Sequence, residues 1–193
     1  SAHLVTASNF AGTAMVLLSA PGGYYAHGCL EDLDFVSTSA AWAIANAPTT
    51  RTVNSTLQRL AFNTRYGIRL TYYAQMCTIA DLFSYGPLEQ LLYLRGNFNV
   101  VRGVNKEGGE AGVTTEPYIL LEAHGFGAET SSGNRLERIL LEGVCSAAKT
   151  LITLEGTDDT QLQDLWLEPS ATDGYGLRIR HSYGQTSLTG LLH

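Results

Sequence analysis

Ile68-Arg69-Leu70-Thr71-Tyr72-Tyr73-Ala74-Gln75 is the stretch on which the reading of this chain turns. Ile68, Leu70, Tyr72 and Ala74 take one face and Arg69, Thr71 and Gln75 the other, the period of two expected of a strand with one side buried. Immediately downstream the period changes. Ile79, Leu82 and Phe83 stand at i, i+3 and i+4. Thr78 and Asp81 resemble a capping box with Asp in place of Glu. Leu88, Leu91 and Leu92 resume the same spacing after Gly86-Pro87, and a proline is tolerated at the first position of a helix. The spacing predicts one α-helical region at about 78–94, closed by Gly96.

Upstream of that stretch, Ala14, Val16 and Leu18 share a face, Pro21-Gly22-Gly23 interrupts the chain, and Tyr24 to Val36 forms a second run. The two read as a β-hairpin. Residues 38–66 are small, β-branched and polar, and read as an extended arm. Downstream, Asn97 to Arg102 is a short strand, and 103–115 holds four glycines with Lys106, Glu107 and Glu110, the composition of an exposed loop. Further runs at 118–123, 135–145, 150–155, 161–168 and 175–181 read as strands. No internal repeat emerges. The expected fold is mainly β: a single domain over 1–193, a β-sandwich or barrel with one flanking helix and long loops at about 38–66 and 103–115.

The chain has 193 residues, a net charge of −6, and 16% charged residues, well under the roughly 25% usual for globular proteins. Positive charge comes from ten arginines and only two lysines, Lys106 and Lys149. Arginine is enriched and lysine depleted where proteins meet, so the neutral, arginine-biased surface points to assembly with further copies. The acidic balance argues against tight wrapping of nucleic acid. Cys29, Cys77 and Cys145 are odd in number and lack paired spacing, as expected of free thiols in a reducing cytosol. No apolar run approaches a membrane span, and Ser1-Ala2-His3-Leu4 carries no secretory pattern.

No set of residues converges on a catalytic, cofactor or metal site. His27-Gly28-Cys29 beside Glu31 and Asp32 offers two ligands where zinc needs three or four. His124-Gly125-Phe126-Gly127 reads as a turn. Gly108-Gly109-Glu110-Ala111-Gly112 lacks the Lys-Ser/Thr of a phosphate loop. Asp158, Asp159 and Asp164 lack the alternation of a calcium loop. Carboxylate pairs such as Asp32/Asp34 and Glu137/Glu142 are common on acidic surfaces. Tyr24-Tyr25 and Tyr72-Tyr73 suit an interface, or stacking on sugars or bases.

The order of elements resembles the tail tube proteins of long-tailed bacteriophages and the related tube protein of type VI secretion. The resemblance is carried by the opening hairpin from Thr13 to Phe35, the stretch with Pro48-Thr49-Thr50-Arg51, Ile68-Arg69-Leu70-Thr71 running into the helix, and the closing strands around Tyr118 to Glu122, Arg138 to Val144 and Leu151 to Gly156. It implies a non-enzymatic virion subunit, folded in the host cytoplasm, whose hexameric rings stack into a tube. Its partners would be itself, a tape-measure protein and other tail proteins, with DNA passing unbound. Trp42, Arg51, Arg59, Lys106, Glu107 and Glu110 are the candidate subunit contacts. The alternatives are a tail terminator, a head–tail joining or capsid-decoration protein, or a carbohydrate-binding β-sandwich using Tyr24, Tyr25, Trp42 and Tyr73; a β-rich hydrolase lacks a convergent site.

Overall fold

The computed structural model describes residues 2–6, 11–20, 25–39, 41–107, 114–123, 131–143, 149–169, 174–180 and 184–192. Its strands, in chain order, are β1 (Ala2–Val5), β2 (Ala14–Leu18), β3 (Tyr25–Ala26), β4 (Cys29–Val36), β5 (Trp42–Asn46), β6 (Arg51–Val53), β7 (Thr56–Asn63), β8 (Tyr66–Gln75), β9 (Thr78–Ser84) and β10 (Gln90–Asn97). They continue as β11 (Val100–Lys106), β12 (Ile119–Glu122), β13 (Ser131–Ser132), β14 (Arg135–Gly143), β15 (Thr150–Glu155), β16 (Thr157–Asp158), β17 (Thr160–Pro169), β18 (Tyr175–Arg180) and β19 (Thr186–Leu192).

From β7 onward the long strands alternate between two sheets. The first sheet has the order β1-β4-β7-β9-β11-β14-β17-β19, and the second β18-β15-β12-β10-β8-β5-β2, with β3 and β6 attached beside β8. The pairing is parallel throughout, as for β7 with β9 and β10 with β12. Strands that run parallel and change sheet at each step describe a coil. The chain is a parallel β-solenoid of about six turns, stacked at the roughly 4.8 Å spacing of paired strands. Leu57, Leu60, Ile79, Leu82, Val101, Val104, Leu136, Ile139, Leu162 and Leu165 fill its interior from the first sheet, against Ile68, Leu70, Leu92, Leu94, Ile119, Leu121, Ile152 and Leu154 from the second. Phe35 and Phe62 stack in adjacent turns with ring centroids 5.5 Å apart.

This overturns the sandwich or barrel, whose hairpins require antiparallel neighbours. It also removes the flanking helix: 78–94 is β9, a turn, and the start of β10. The reason lies in the backbone. Asp32, Arg59, Asp81, Arg138 and Asp164 all have φ between 53° and 57°, and Gly103 and Gly190 have φ of 63° and 83°. They occupy successive turns of the first sheet, where the ladders bring Asp32 to Arg59, Arg59 to Asp81, Asp81 to Gly103 and Gly103 to Arg138. A left-handed residue inside a strand adds one outward position, so the inward side chains on either side of it are separated by three rather than two. Ile79 and Leu82 flank Asp81 in this way. Their i, i+3 spacing is that of a kinked strand, and it imitates a helix.

A second left-handed column runs through Asn54, Met76, Phe98, Gly133 and Asp159. Each stands five residues before its counterpart in the first column, and the N–H of one bonds the turn above, as Met76 to the Asn97 carbonyl at 3.1 Å and Phe98 to the Ser132 carbonyl at 2.8 Å. The residue that follows, Ser55, Cys77, Asn99, Asn134 or Thr160, is buried. Asn99 and Asn134 form an internal ladder: Nδ2 of Asn99 donates to Oδ1 of Asn134 at 3.0 Å, and Oδ1 of Asn99 accepts from the Cys77 N–H at 3.0 Å. The repeat that the sequence reading missed is therefore left-handed, small polar, any, apolar, any, left-handed, apolar. Its seven copies in the first column are 27, 22, 22, 35, 26 and 26 residues apart from Asp32 to Gly190, and the uneven insertions conceal it.

The remaining expectations change accordingly. The opening hairpin is absent, because β2 and β4 belong to different sheets. The 38–66 arm is β5, β6, β7 and the first residue of β8, and the 103–115 loop begins inside β11, which extends to Lys106.

Candidate functional site

The outer face of the second sheet carries a cleft of about 530 Å³ lined by Trp42, Ala45, Asn46, Pro48, Arg69, Thr71, Tyr72 and Arg95, with Thr13 and Leu17 at its margin. Two local features make it. First, β8 is irregular against β10: Leu70 pairs with Leu94, but the next pair is Ala74 with Gly96, so four steps of β8 match two of β10. The extra residues of Thr71-Tyr72-Tyr73 bulge outward opposite Arg95, as bulges do when they re-aim side chains. Gly96 has φ of 144°, and a Cβ there would collide with the Ala74 carbonyl. Only glycine fits this crossing. Second, the chain turns between β5 and β6 at Ala47 to Thr50. Asn46 holds that turn from inside, with Nδ2 donating to the Thr50 carbonyl at 2.8 Å and Oδ1 accepting from the Thr71 N–H at 3.1 Å. The Asn46 side chain thus ties the turn to the bulge.

Aromatic and cationic groups alternate across this face. Trp42 and Tyr66 lie 5.1 Å apart by ring centroid. The Arg69 guanidinium carbon is 5.9 Å from the centroids of both Trp42 and Tyr93, which flank it from the strands on either side. Arg95 is 5.2 Å from the Tyr93 ring. Its Nε donates to Glu122 Oε2 at 2.7 Å, and the Tyr93 hydroxyl donates to the same oxygen. Burial, reinforced by the Glu122 carboxylate, pushes the Tyr93 hydroxyl up to about 12. Burial opposes the charge on Arg95, but Glu122 raises its pKa on balance. Glu122 is occupied by these two partners. Arg69 is exposed and its guanidinium, among the described residues, has neither an ion pair nor a hydrogen bond.

The other arginine singled out from sequence, Arg59, is also exposed but differently placed. Its guanidinium pairs with Glu31 at 2.5 Å and Asp32 at 2.7 Å across the first sheet. A hydrogen bond from Gln58 and then the Arg59 guanidinium hold the Glu31 carboxyl below its ordinary value, and Arg59 does the same to Asp32.

The remaining candidates do not gather. Trp42 is in the cleft. Arg51 is exposed on β6, over the Tyr73 ring at 5.2 Å and toward the far end of β8. Lys106 is fully buried, with Nζ 5.7 Å from the Tyr118 ring, so it offers nothing to a neighbouring molecule. Glu107 is exposed and accepts from Asn105 at 2.7 Å. Glu110 and Tyr24 lie outside the described residues, as does the Tyr25 side chain. Tyr73 accepts a hydrogen bond from Asn97 at 3.1 Å. His27 and Cys29 line a smaller hollow of about 170 Å³; among the described residues no three potential ligands converge on a metal. Sequence reading missed Tyr66, Arg69, Tyr93, Arg95 and Glu122. The outward phase of 68–75 already placed Arg69 and Thr71 on one face, but assigning 87–94 to a helix hid Tyr93.

No protein-family model, curated protein or solved structure matches this chain, and the cleft is interpreted from its own chemistry.

Proposed function

We propose that this chain is a glycan-binding β-solenoid that holds a saccharide against the outer face of its second sheet. One observation carries the reading: Trp42, Arg69 and Arg95 line an open cleft with Asn46, Thr71 and Tyr72, and Tyr66 and Tyr93 stand beside Trp42 and Arg69 on adjacent strands of the same sheet. Sugar rings present apolar C–H faces that pack on aromatic rings and an equatorial belt of hydroxyls that needs planar, fixed donors and acceptors; such a mixture is typical of small-ligand sites. The strand backbone holds those rings without a folding cost on binding. Glu122 is engaged by Arg95 and Tyr93, so the reading is one of binding rather than hydrolysis. The carbohydrate-binding alternative raised from sequence thus keeps Trp42 but changes its fold and most of its residues. The tail-tube reading drew on a hairpin, a sandwich and a flanking helix, and without them it lacks a structural argument.

The test is isothermal titration with oligosaccharides of several linkages, in parallel with Trp42→Ala. Binding that falls at least tenfold in the variant, with an unchanged circular dichroism spectrum, supports the reading. Saccharide binding that survives Trp42→Ala intact refutes it.

A further inference from the structure

Resting on that glycan reading, we propose that the sugar is acidic, and that Arg69 is the residue that receives its carboxylate. Three arginines stand on β8, on its neighbour β10 and in the turn that leads into β8: Arg69, Arg95 and Arg65. Arg95 is neutralised by Glu122 at 2.6 Å. Arg65 is paired with Glu89 at 3.2 Å. Arg69 alone of the three has, among the described residues, no carboxylate within ion-pair distance, although the protein as a whole is acidic at −6. Its contacts are the two rings, Trp42 and Tyr93, at 5.9 Å each.

Those contacts hold the guanidinium in place while leaving its hydrogen-bonding capacity unspent. An aromatic ring attracts the cation through its quadrupole but is no substitute for an oxygen acceptor, and the Tyr93 hydroxyl is already directed to Glu122. Five N–H donors in a planar fork match a carboxylate in the bidentate geometry that arginine favours. The site therefore pairs an unspent carboxylate receptor with ring surfaces on both sides of it. A uronic acid residue carries both complements in one molecule: a carboxylate on C6 and a C–H face beside it. An acidic peptide supplies the charge without the stacking face. A nucleic acid supplies rings and charge, but its affinity comes from many phosphates meeting many cations, and here a single free arginine faces the cleft.

The probes are hexasaccharides of galacturonate, alginate and hyaluronan, each titrated beside its carboxyl-reduced neutral form, with a glutamate hexapeptide as the non-sugar acid. The expectation is that at least one acidic hexasaccharide binds tenfold or more tighter than its reduced twin. Arg69→Gln should abolish that preference while leaving the weaker neutral binding in place, Arg69→Lys should restore part of it, and the preference should shrink with added salt. Equal affinity for acidic and reduced forms, or a preference untouched by Arg69→Gln, overturns the carboxylate assignment and leaves the glycan reading standing. Glutamate hexapeptide binding as tightly as the best uronate overturns it in favour of a charge-only surface. Binding of none of the saccharides refutes the glycan reading and the assignment with it. Thermal unfolding of Arg69→Gln at the wild-type temperature confirms that the comparison is between folded proteins.

Discussion

Arg59 and Arg69 are both exposed arginines on long strands of neighbouring turns, one on each sheet, and they are used in opposite ways. Arg59 stands in the left-handed column of the first sheet, where Glu31 and Asp32 from the turn before take its charge. Arg69 stands on the second sheet between Trp42 and Tyr93, with no acid against it among the described residues. A solenoid brings each outward residue over its counterpart one turn away, so neighbouring turns can cancel a charge or leave it available. On the first sheet the column Asp32, Arg59, Asp81 alternates in sign, and Arg59 is paired with Asp32 and the adjacent Glu31. On the second, aromatics replace the acids beside Arg69. The first face is a solution to stacking; the second has surplus binding capacity.

The most severe way to break the comparison is to remove the bulge that shapes the second face. Gly96→Ala drives a Cβ into the Ala74 backbone carbonyl, and we expect it to cost about 3 kcal/mol, the upper range for overpacking a rigid site. Gly103→Ala, at a left-handed position in the first-sheet column, meets only the Asp81 carboxylate end at close range and should cost about 1 kcal/mol, the left-handed penalty alone. Urea unfolding of the two variants checks the order. Next in size is binding. Arg69→Gln should weaken an acidic saccharide at least tenfold and Arg59→Gln should leave it unchanged, as read by titration calorimetry.

Two pH effects sharpen the contrast further. Glu31 and Asp32 are held below their ordinary values of 4.5 and 3.8. The folded state binds these protons less readily than the unfolded chain, so the pairing contributes stability above the unfolded pKa values and loses it as pH falls through the folded ones. The stability gap between wild type and Arg59→Gln should therefore be constant near neutrality and close as the pH drops below about 4, near the ordinary carboxylate range. On the second face the sign is reversed. Tyr93 is raised from 10.0 to about 12, so its neutral form is favoured by folding, and its contribution is complete below pH 10 and disappears as pH rises towards 12. Ultraviolet titration should show a tyrosine ionising near pH 12 that is missing in Tyr93→Phe.

The sequence made the β character legible, and the alternation of Ile68 to Gln75 located β8 and the outward phase of Arg69. What it concealed has one cause. A left-handed residue within seven of the eight first-sheet strands stretches the apolar spacing to three, so Leu57/Leu60, Ile79/Leu82 and Leu136/Ile139 look helical or unpatterned when a strict period of two is sought. Because Asp, Arg and Gly all serve at that position, and insertions change the turn length from 22 to 35 residues, no identical letters recur to reveal the repeat. Trp42 was legible as a candidate contact aromatic, and it lines the cleft. Its partners Tyr66, Tyr93 and Arg95 were not, since their proximity is a consequence of the coil, and residues one turn apart are separated by more than twenty positions.

The two tryptophans provide the most direct test. Trp42 lines the cleft, and Trp166 is partly exposed on the first sheet beside Glu168. In a nitrogen–proton correlation spectrum each gives one indole resonance. On titration with an acidic hexasaccharide, the account predicts that the Trp42 indole shifts and saturates while that of Trp166 stays in place, and that Arg69→Gln suppresses the movement. A shift confined to Trp166, or no shift at either indole across the saccharides tried, would contradict it.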